Sequence, residues 1–340
     1  MTFVPKLLGF ACVCLMSMPL AVQATDGPLS LLSTTPLPDV TGGDFDHFAV
    51  DLPHHKLYVS AETYGSIEVF KLPDGQHLAS YKGIAKNPHK IILADRGKEL
   101  FIADAGDANV KIVDTKTFKI EDRIPLEPQP DSGVTDKKNG IFYLGNGGVQ
   151  SHKENAYISI ISIADKKILG RIDVPSAQLK AMVMNEATQR LFVNMREKDE
   201  IGVIDLKTRK LVAIWHVPGP SLNSAMAFDQ ATNRLFIGSR SPGKLFVLDA
   251  SNGRVIQSLD IVDVSDDMTF DKTHHCLYVT GAGGLDVVRQ RDADHYSIAQ
   301  HLDTLGGKTA VYIPSLKKFY VVHTEGPQAA EAGLQIFHVE

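Results

Sequence analysis

The sequence predicts an all-β protein, a seven-bladed β-propeller with four-stranded blades. Three observations lead to this prediction: a short aromatic strand phrase recurs seven times, its spacing suits a four-stranded blade, and helical periodicity is nearly absent. The phrase reads LYVSAE, LFIADA, FYLGNG, LFVNMR, LFIGSR, LYVTGA and FYVVHT along the chain. Its central aromatic residues are Tyr58, Phe101, Tyr143, Phe192, Phe236, Tyr278 and Tyr320.

The seven phrases lie 42 to 49 residues apart, close to the roughly 40–45 residues of a four-stranded propeller blade. In the fourth unit, the strands KAMVMN, RLFVNM, IGVIDL and LVAIWHV alternate with turns rich in Asp, Lys and Thr. Each small sheet would be apolar on both faces because neighbouring blades cover both. The longest interval contains the polar insertion GNGGVQSHKENAY. Radial closure of the ring would bury all seven sheets.

The sequence also predicts how the ring closes. The last unit supplies only three strands, KTAVYIP, KKFYVVHT and LQIFHVE, before the sequence stops. The strand-like segment LSLLSTTPL, residues 29–37, precedes the first unit and has no unit of its own. We therefore predict that residues 29–37 form the outer, fourth strand of the last blade.

The first 24 residues have the features of a signal peptide. Lys6 provides a positive charge, residues 7–18 are an apolar run, and Val22-Gln23-Ala24 offers a cleavage site. The apolar run is shorter than the roughly 20 residues that cross a bilayer as a helix. We expect residues 1–24 to be removed and residues 25–340 to form one propeller domain. The expected protein is a periplasmic or secreted monomer without a transmembrane segment.

Several classes of chemistry are disfavoured by what the sequence lacks. The formal net charge is −5 and no basic block occurs, so nucleic-acid binding is not expected. There is no Cys-x-x-Cys-His motif for haem and no G-x-S-x-G nucleophile elbow, and Trp215 is the single tryptophan, whereas quinoprotein propellers repeat one in each blade. After loss of Cys12 and Cys14, Cys276 cannot form an internal disulfide. In other repeat units, the position equivalent to Cys276 carries charged residues of types that usually face solvent. We therefore predict that the Cys276 thiol is at least partly accessible.

The phrases LYVTG (277–281) and LYVSAE (57–62), with IGVIDLKT (201–208) and LFVLDASNG (245–253), resemble the YncE-like propellers built from YVTN repeats. The resemblance covers essentially the whole mature chain. It implies an exported, seven-bladed propeller and specifies no reaction. The aspartates before the turn that follows the third strand are explained by side-chain bonds to the turn backbone; they are Asp114, Asp205 and Asp249.

Propeller geometry brings the loops that enter the seven innermost strands together at one mouth of the central channel. Equivalent positions in these loops carry His47, His89, Ser132, Lys180, Ser224, Asp267 and Lys308. The loops between second and third strands reach the same face with Glu62, Asp104, Asn146, Arg196, Arg240, His323 and Glu325. A concave surface with convergent polar groups predicts a binding site. The candidate ligand-binding residues are His47, His89, Asp131, Lys180, Arg196, Asn223, Arg240, Asp267, Lys308 and His323.

A divalent metal is the one cofactor that these residues suggest, because imidazoles with nearby carboxylates suit zinc, copper or iron. The candidate metal ligands are His47, His89 and His323. They belong to blades 1, 2 and 7, which become neighbours when the ring closes. The same blade order predicts that they face three cations across the channel, namely Lys180, Arg196 and Arg240. The histidine pairs in LPHHKLY and KTHHCLY are interpreted as hairpin-turn residues instead.

Three functions remain compatible with the sequence. The first is an exported propeller that binds a small molecule, a peptide or an envelope protein at the channel mouth. The second is a metal-dependent, lactonase-like hydrolase, in which a metal or a histidine base activates water in the same funnel. The third is a structural adaptor that uses the blade rims. A stoichiometric metal would favour the hydrolase over the binding protein.

Overall fold

A computed structural model describes residues 27–127, 129–147, 154–219 and 222–340, and the fold is a seven-bladed β-propeller. Seven four-stranded antiparallel sheets form a ring, as the sequence predicts. The expected signal peptide, residues 1–24, lies outside the described residues. Within the described ranges, no helix has both the length and the apolar character needed to cross a bilayer.

The strands follow one another from the channel to the rim in each blade. The first strand in the chain is β1 (Leu29–Leu37). Blade 1 contains β2 (Phe45–Asp51), β3 (Lys56–Ala61), β4 (Ser66–Lys71) and β5 (His77–Lys82). Blade 2 contains β6 (Pro88–Ala94), β7 (Glu99–Asp104), β8 (Asn109–Asp114) and β9 (Ile120–Pro125). Blade 3 contains β10 (Pro130–Asp136), β11 (Ile141–Asn146), β12 (Ala156–Ser162) and β13 (Lys167–Val174).

The remaining blades repeat this order. Blade 4 contains β14 (Leu179–Asn185), β15 (Arg190–Met195), β16 (Glu200–Asp205) and β17 (Lys210–His216). Blade 5 contains β18 (Ala225–Asp229), β19 (Arg234–Gly238), β20 (Lys244–Asp249) and β21 (Val255–Asp260). Blade 6 contains β22 (Asp267–Asp271), β23 (Cys276–Gly281), β24 (Gly284–Gln290) and β25 (Tyr296–Leu302). Blade 7 contains β26 (Thr309–Ile313), β27 (Lys318–His323) and β28 (Ala332–Val339), with β1 outermost. Short 3₁₀ turns occur at Asp95–Gly97, Arg196–Lys198 and Pro314–Leu316.

The repeated aromatic residue is the part of each blade that packs against the next one. Tyr58 of blade 1 lies in an apolar cluster with Ile91 and Leu100 of blade 2. Its neighbours in the phrase, Leu57 and Val59, face the other way and pack against blade 7. This alternation follows from the two-residue period of a strand. The same pattern recurs at Phe101, Tyr143, Phe192, Phe236, Tyr278 and Tyr320.

The ring closes in the way that the sequence predicts. Strand β1 pairs antiparallel with β28, from Leu29 opposite Val339 to Leu37 opposite Ala332. The side chain of Gln300 in blade 6 holds the start of β1, since its Oε1 accepts the Leu29 N–H at 3.0 Å and its Nε2 donates to the Leu29 carbonyl at 2.8 Å. The N-terminal strand is therefore bonded to both blade 7 and blade 6.

The predicted accessibility of Cys276 is wrong, because the structure leaves only 1% of this residue exposed. Its side chain lies in the apolar cluster between blades 6 and 7, and Sγ is 3.4 Å from the carbonyl of His274. The equivalent residues Lys56, Glu99, Arg190, Arg234 and Lys318 are partly exposed. Their long side chains extend out of the interface to reach water. A cysteine side chain is too short to do this, so it stays in the interface.

Burial on β1 gives a direct test of the closure. The free energy of unfolding should fall by about 2–5 kcal/mol in Leu29→Ala, because Leu29 is fully buried. Leu31→Ala is the matched control on the same strand, and at 52% exposure it should change stability by less than about 0.5 kcal/mol. Urea denaturation measures both. Equal effects of the two substitutions would contradict the closure.

Candidate functional site

A polar cavity of about 230 Å³ lies at the mouth of the central channel. Seven of the ten predicted ligand-binding residues line it: His47, Asp131, Lys180, Arg196, Arg240, Asp267 and Lys308. The other polar residues of its wall are Asp44, Asp46, Glu62, Ser132, Ser224, Asp266 and Thr309. The ring thus brings together, at one mouth, side chains from six of the seven blades, all except blade 2.

Irregular pairing at the start of the innermost strands, called the strand entries below, places several of these side chains at the cavity. In blades 1 to 4, the pairing of the first two strands is interrupted at 45–48, 88–91, 130–133 and 179–182. Residues inside a bulge leave the regular ladder and re-aim their side chains. The entries are fixed by second-strand side chains: Ser60 Oγ accepts the His47 N–H at 3.0 Å and donates to the carbonyl of His89 at 2.8 Å. Adjacent blades therefore hold their channel-facing residues in fixed positions.

Asp46 lies between the two predicted histidines of blades 1 and 2. Its Oδ2 is 2.5 Å from His89 Nδ1, and its Oδ1 is 3.3 Å from His47 Nε2 without the geometry of a hydrogen bond. Burial opposes a charged His89, but the hydrogen bond and charge of Asp46, with Asp131 and Glu62, raise the pKa of His89 to about 9. Burial lowers the pKa of His47 to about 4. At neutral pH, His89 is therefore protonated and His47 is neutral.

Three of the four cationic side chains in the cavity wall are paired with carboxylates. Lys180 Nζ lies 2.7 Å from Asp131 Oδ2, and Arg240 lies 2.9 Å from Asp266 Oδ1. Lys308 bonds to Asp44 and lies 3.7 Å from Asp266. These pairs neutralise most of the charge in the cavity wall.

Arg196 differs from these three cations. In the described part of the chain, its guanidinium has no hydrogen bond and no carboxylate within ion-pair distance. Burial lowers its pKa, and the positive charge of Arg240 lowers it further. The cavity therefore contains a guanidinium group whose donors are unused.

Asp267 is the acidic counterpart of Arg196. Its Oδ2 accepts the Ala310 N–H at 2.8 Å, and no cation lies within ion-pair distance of it among the described residues. Burial raises the pKa of Asp267 to about 7, and the charges of Asp266 and Asp46 act in the same direction. The charge of Lys90 opposes this shift. Asp267 is thus a carboxyl group without a salt-bridge partner in the same cavity.

Three predicted residues do not line the cavity. His89 lies beside it and contacts it through Asp46. Asn223 is fully buried, and its amide donates to Asn194 Oδ1 at 2.6 Å and to the carbonyl of Glu200 at 3.0 Å. His323 is only 3% exposed and lies against the backbone of Gly333. Both side chains are buried and neither lines the cavity.

The three predicted metal ligands are not brought into one group. Possible ligand atoms within 4.8 Å of one another occur in two sets, Asp46 with His47 and Asp131, and Asp46 with Glu62 and His89. His323 belongs to neither set. The expected separation of histidines from cations is also absent, because Lys180 and His89 approach the same carboxylate of Asp131, at 2.7 and 3.8 Å.

Several residues of the cavity wall lie directly beside the positions that were aligned between the repeat units. Asp46 precedes His47, and Asp266 precedes Asp267. Lys90 follows His89, and its charge interacts with those of Asp267 and Asp46. An acidic residue directly before the aligned position in blades 1, 3 and 6 was the available signal. In blades 1 and 3, both residues of the pair lie in a bulged entry.

The two histidine pairs set aside as turn residues are found in turns. His55 and His275 have φ of 54° and 51°, in the left-handed region, between the first and second strands of blades 1 and 6. The preceding histidines bond through Nδ1 to Asp51 at 2.9 Å and to Asp271 at 2.5 Å. These interactions explain both pairs as hairpin structure.

Comparison of the sequence with models of known protein families and with curated proteins gave no match. The likeness to YncE-like propellers therefore rests on the strand phrases. The architecture itself is established by the seven sheets and their closure.

The different protonation states of His47 and His89 can be tested by NMR titration of their imidazoles. We expect His89 to titrate near pH 9 and His47 near pH 4. Asp46→Asn should lower the pKa of His89 strongly, because burial remains while its carboxylate partner is lost. His47→Gln and His89→Gln provide the assignments. A parent protein in which both histidines titrate near pH 6.5 would contradict this electrostatic description.

The same pKa shift has a consequence for stability. A folded-state pKa above the unfolded value of 6.5 means that the contribution of His89 is complete below pH 6.5 and is lost as the pH rises through 9. The decrease in melting temperature caused by His89→Gln should therefore be larger at pH 6 than at pH 10. Thermal denaturation of both proteins at the two pH values measures it.

Proposed function

We propose that this propeller is an exported, YncE-like binding protein whose channel-mouth cavity binds an anionic group of a small ligand. The observation that carries the proposal is Arg196. It lines the cavity, and its guanidinium has no partner in the described part of the chain, whereas Lys180, Arg240 and Lys308 each contact a carboxylate. A guanidinium presents a planar set of donors that matches carboxylate and phosphate oxygens.

The loop that carries Arg196 is held rigidly. The carboxylate of the next residue, Glu197, accepts the backbone N–H groups of Ala177 at 2.5 Å and Gln178 at 3.1 Å, and the Ser176 hydroxyl at 2.9 Å. The Arg196 N–H itself donates to the Gln178 carbonyl at 3.0 Å. Glu197 is thus engaged by the neighbouring loop. A fixed backbone lowers the entropy lost when a ligand binds.

Electrostatics at this edge of the cavity also favours an anion. Arg196 and Arg240 are close enough for each to act on the other, since the charge of Arg240 lowers the pKa of Arg196. Arg240 lies 2.9 Å from Asp266, whereas Arg196 has no carboxylate within ion-pair distance among the described residues. An anionic group beside Arg196 would relieve the repulsion and replace the missing partner.

The size of the cavity favours a small molecule over a folded partner. At about 230 Å³ it is slightly smaller than the roughly 300–1,000 Å³ of ordinary ligand pockets. Its wall is dominated by charged side chains, so recognition would depend on ion pairs and hydrogen bonds. A peptide or envelope protein would have to insert a single acidic group.

The hydrolase alternative is favoured by the two possible ligand sets, of which Asp46, His47 and Asp131 is the one that contains the neutral histidine. Both carboxylates of that set already contact cations, Asp46 with His89 and Asp131 with Lys180. A divalent ion would have to displace these cations, so we expect less than stoichiometric zinc after equilibration and dialysis. Metal analysis by mass spectrometry measures it. Stoichiometric zinc that is lost in Asp46→Asn would favour the hydrolase.

Arg196→Gln tests the proposed function. The mature protein should bind members of a panel of small carboxylates and phosphates, detected by thermal shift and quantified by calorimetry. Arg196→Gln should weaken this binding about tenfold or more, which is the effect of losing charge-assisted hydrogen bonds. Arg254→Gln is the matched control, because Arg254 is exposed and does not line the cavity. Unchanged affinity in Arg196→Gln would contradict the proposal.

A further inference from the structure

We infer that the ligand of this cavity is zwitterionic, an amino-acid-like molecule whose carboxylate is bound by Arg196 and whose ammonium group is bound by Asp267. The inference rests on the proposed function and adds a second recognition element to it. It assigns a role to the one acidic residue of the cavity wall that the ion pairs leave without a cation.

The charges in the cavity wall pair almost completely. Five carboxylates have cations within 4.0 Å. Four pairs are Asp44 with Lys308, Asp46 with His89, Asp131 with Lys180, and Asp266 with Arg240. The fifth carboxylate, Glu62, lies 3.7 Å from His89 Nε2. Among the described residues that line the cavity, this leaves one cation and one carboxyl group, Arg196 and Asp267. A ligand with one charge of each sign would match both.

The position of Asp267 suits the binding of a donor group. It is the first residue of β22, and the Ala310 N–H of blade 7 holds its Oδ2 at 2.8 Å. Asp267 also lines the cavity. A buried carboxylate without a cationic partner is unfavourable, and the raised pKa of Asp267 expresses this. An ammonium group would supply the missing charge and up to three hydrogen-bond donors.

The two unmatched residues lie in different parts of the ring. Arg196 follows the second strand of blade 4, and Asp267 begins the innermost strand of blade 6. The charges that act on Arg196 are those of Arg240, Asp266 and Asp131, and Asp267 is not among them. A ligand must therefore reach from one group to the other. Its two charged ends would be separated by a short linker.

The same arrangement disfavours ligands that carry charge of one sign at both ends. A dicarboxylate would place its second anion beside Asp267, whose neighbour Asp266 is also acidic. A diamine would place its second cation beside Arg196 and Arg240. Like charges in a partly buried site repel strongly because little water screens them. Selectivity for zwitterions thus follows from repulsion as well as from attraction.

The test uses matched pairs of probes whose charged ends are separated by one to five carbon atoms. The zwitterions are glycine, β-alanine, 4-aminobutyrate and 6-aminohexanoate, and each is compared with the unsubstituted acid of the same carbon number. Calorimetry at pH 8 keeps Asp267 ionised. At least one zwitterion should bind about tenfold or more tightly than its paired acid, as expected for one charge-assisted contact.

Two variants separate the inference from the proposed function. Asp267→Asn should abolish the advantage of the zwitterion and leave the affinity for the acid within about twofold, while Arg196→Gln should weaken both ligands. Asp173→Asn, at an exposed position on β13, is the control for Asp267→Asn, and melting temperatures confirm that each variant is folded. If acids bind through Arg196 but no zwitterion exceeds its paired acid, the inference fails and the proposed function stands. If neither class binds, both fail.

Discussion

The packing of each blade against the next is the constraint on which the rest of this structure depends. Every blade directs one aromatic residue, such as Tyr58, towards the following blade, and two apolar neighbours towards the preceding one. No blade can bury both faces alone, so the sheets are stable only as a closed ring. The pairing of β1 with β28 completes that ring and joins the two ends of the described chain. The channel mouth exists because this closure brings seven strand entries to a common centre.

The closed ring also determines the electrostatics of the cavity. Side chains of adjacent blades share carboxylates at the channel mouth: Asp46 contacts His89 of the next blade, and Asp131 contacts Lys180 of the blade after its own. Burial lowers the pKa of His47 and opposes a charged His89, but the hydrogen bond and charge of Asp46 raise the pKa of His89, so the two histidines differ in protonation state at neutral pH. The cavity wall is therefore a fixed network of charges. Arg196 and Asp267 differ from the rest of this network. Among the described residues, neither the guanidinium of Arg196 nor the carboxyl of Asp267 has an ion-pair partner, so both are available to a ligand.

A cavity of this kind fits binding better than it fits the hydrolytic chemistry that its histidines first suggest. The neutral His47 is close to carboxylates, yet those carboxylates are held by Lys180 and by protonated His89. His323 is buried against Gly333 and takes no part in the cavity wall. The unmatched charges instead offer a place for the two ends of a small polar molecule. The proposed function and the zwitterionic ligand both follow from this difference between matched and unmatched groups.

The sequence by itself determined the seven-bladed ring, the strands of each blade and the closing role of residues 29–37, because these depend on local patterns that repeat. It also located the channel mouth, and seven of its ten candidate residues line the cavity. Only the tertiary structure decided which of those residues line the cavity, which of them form ion pairs, and which of the histidines is protonated at neutral pH. Bulged entries turn Asp46 inwards, while Asn223 and His323 are buried, and a short side chain keeps Cys276 inside a blade interface. These outcomes depend on distances of a few ångströms between residues from different blades, which no pattern along the chain encodes.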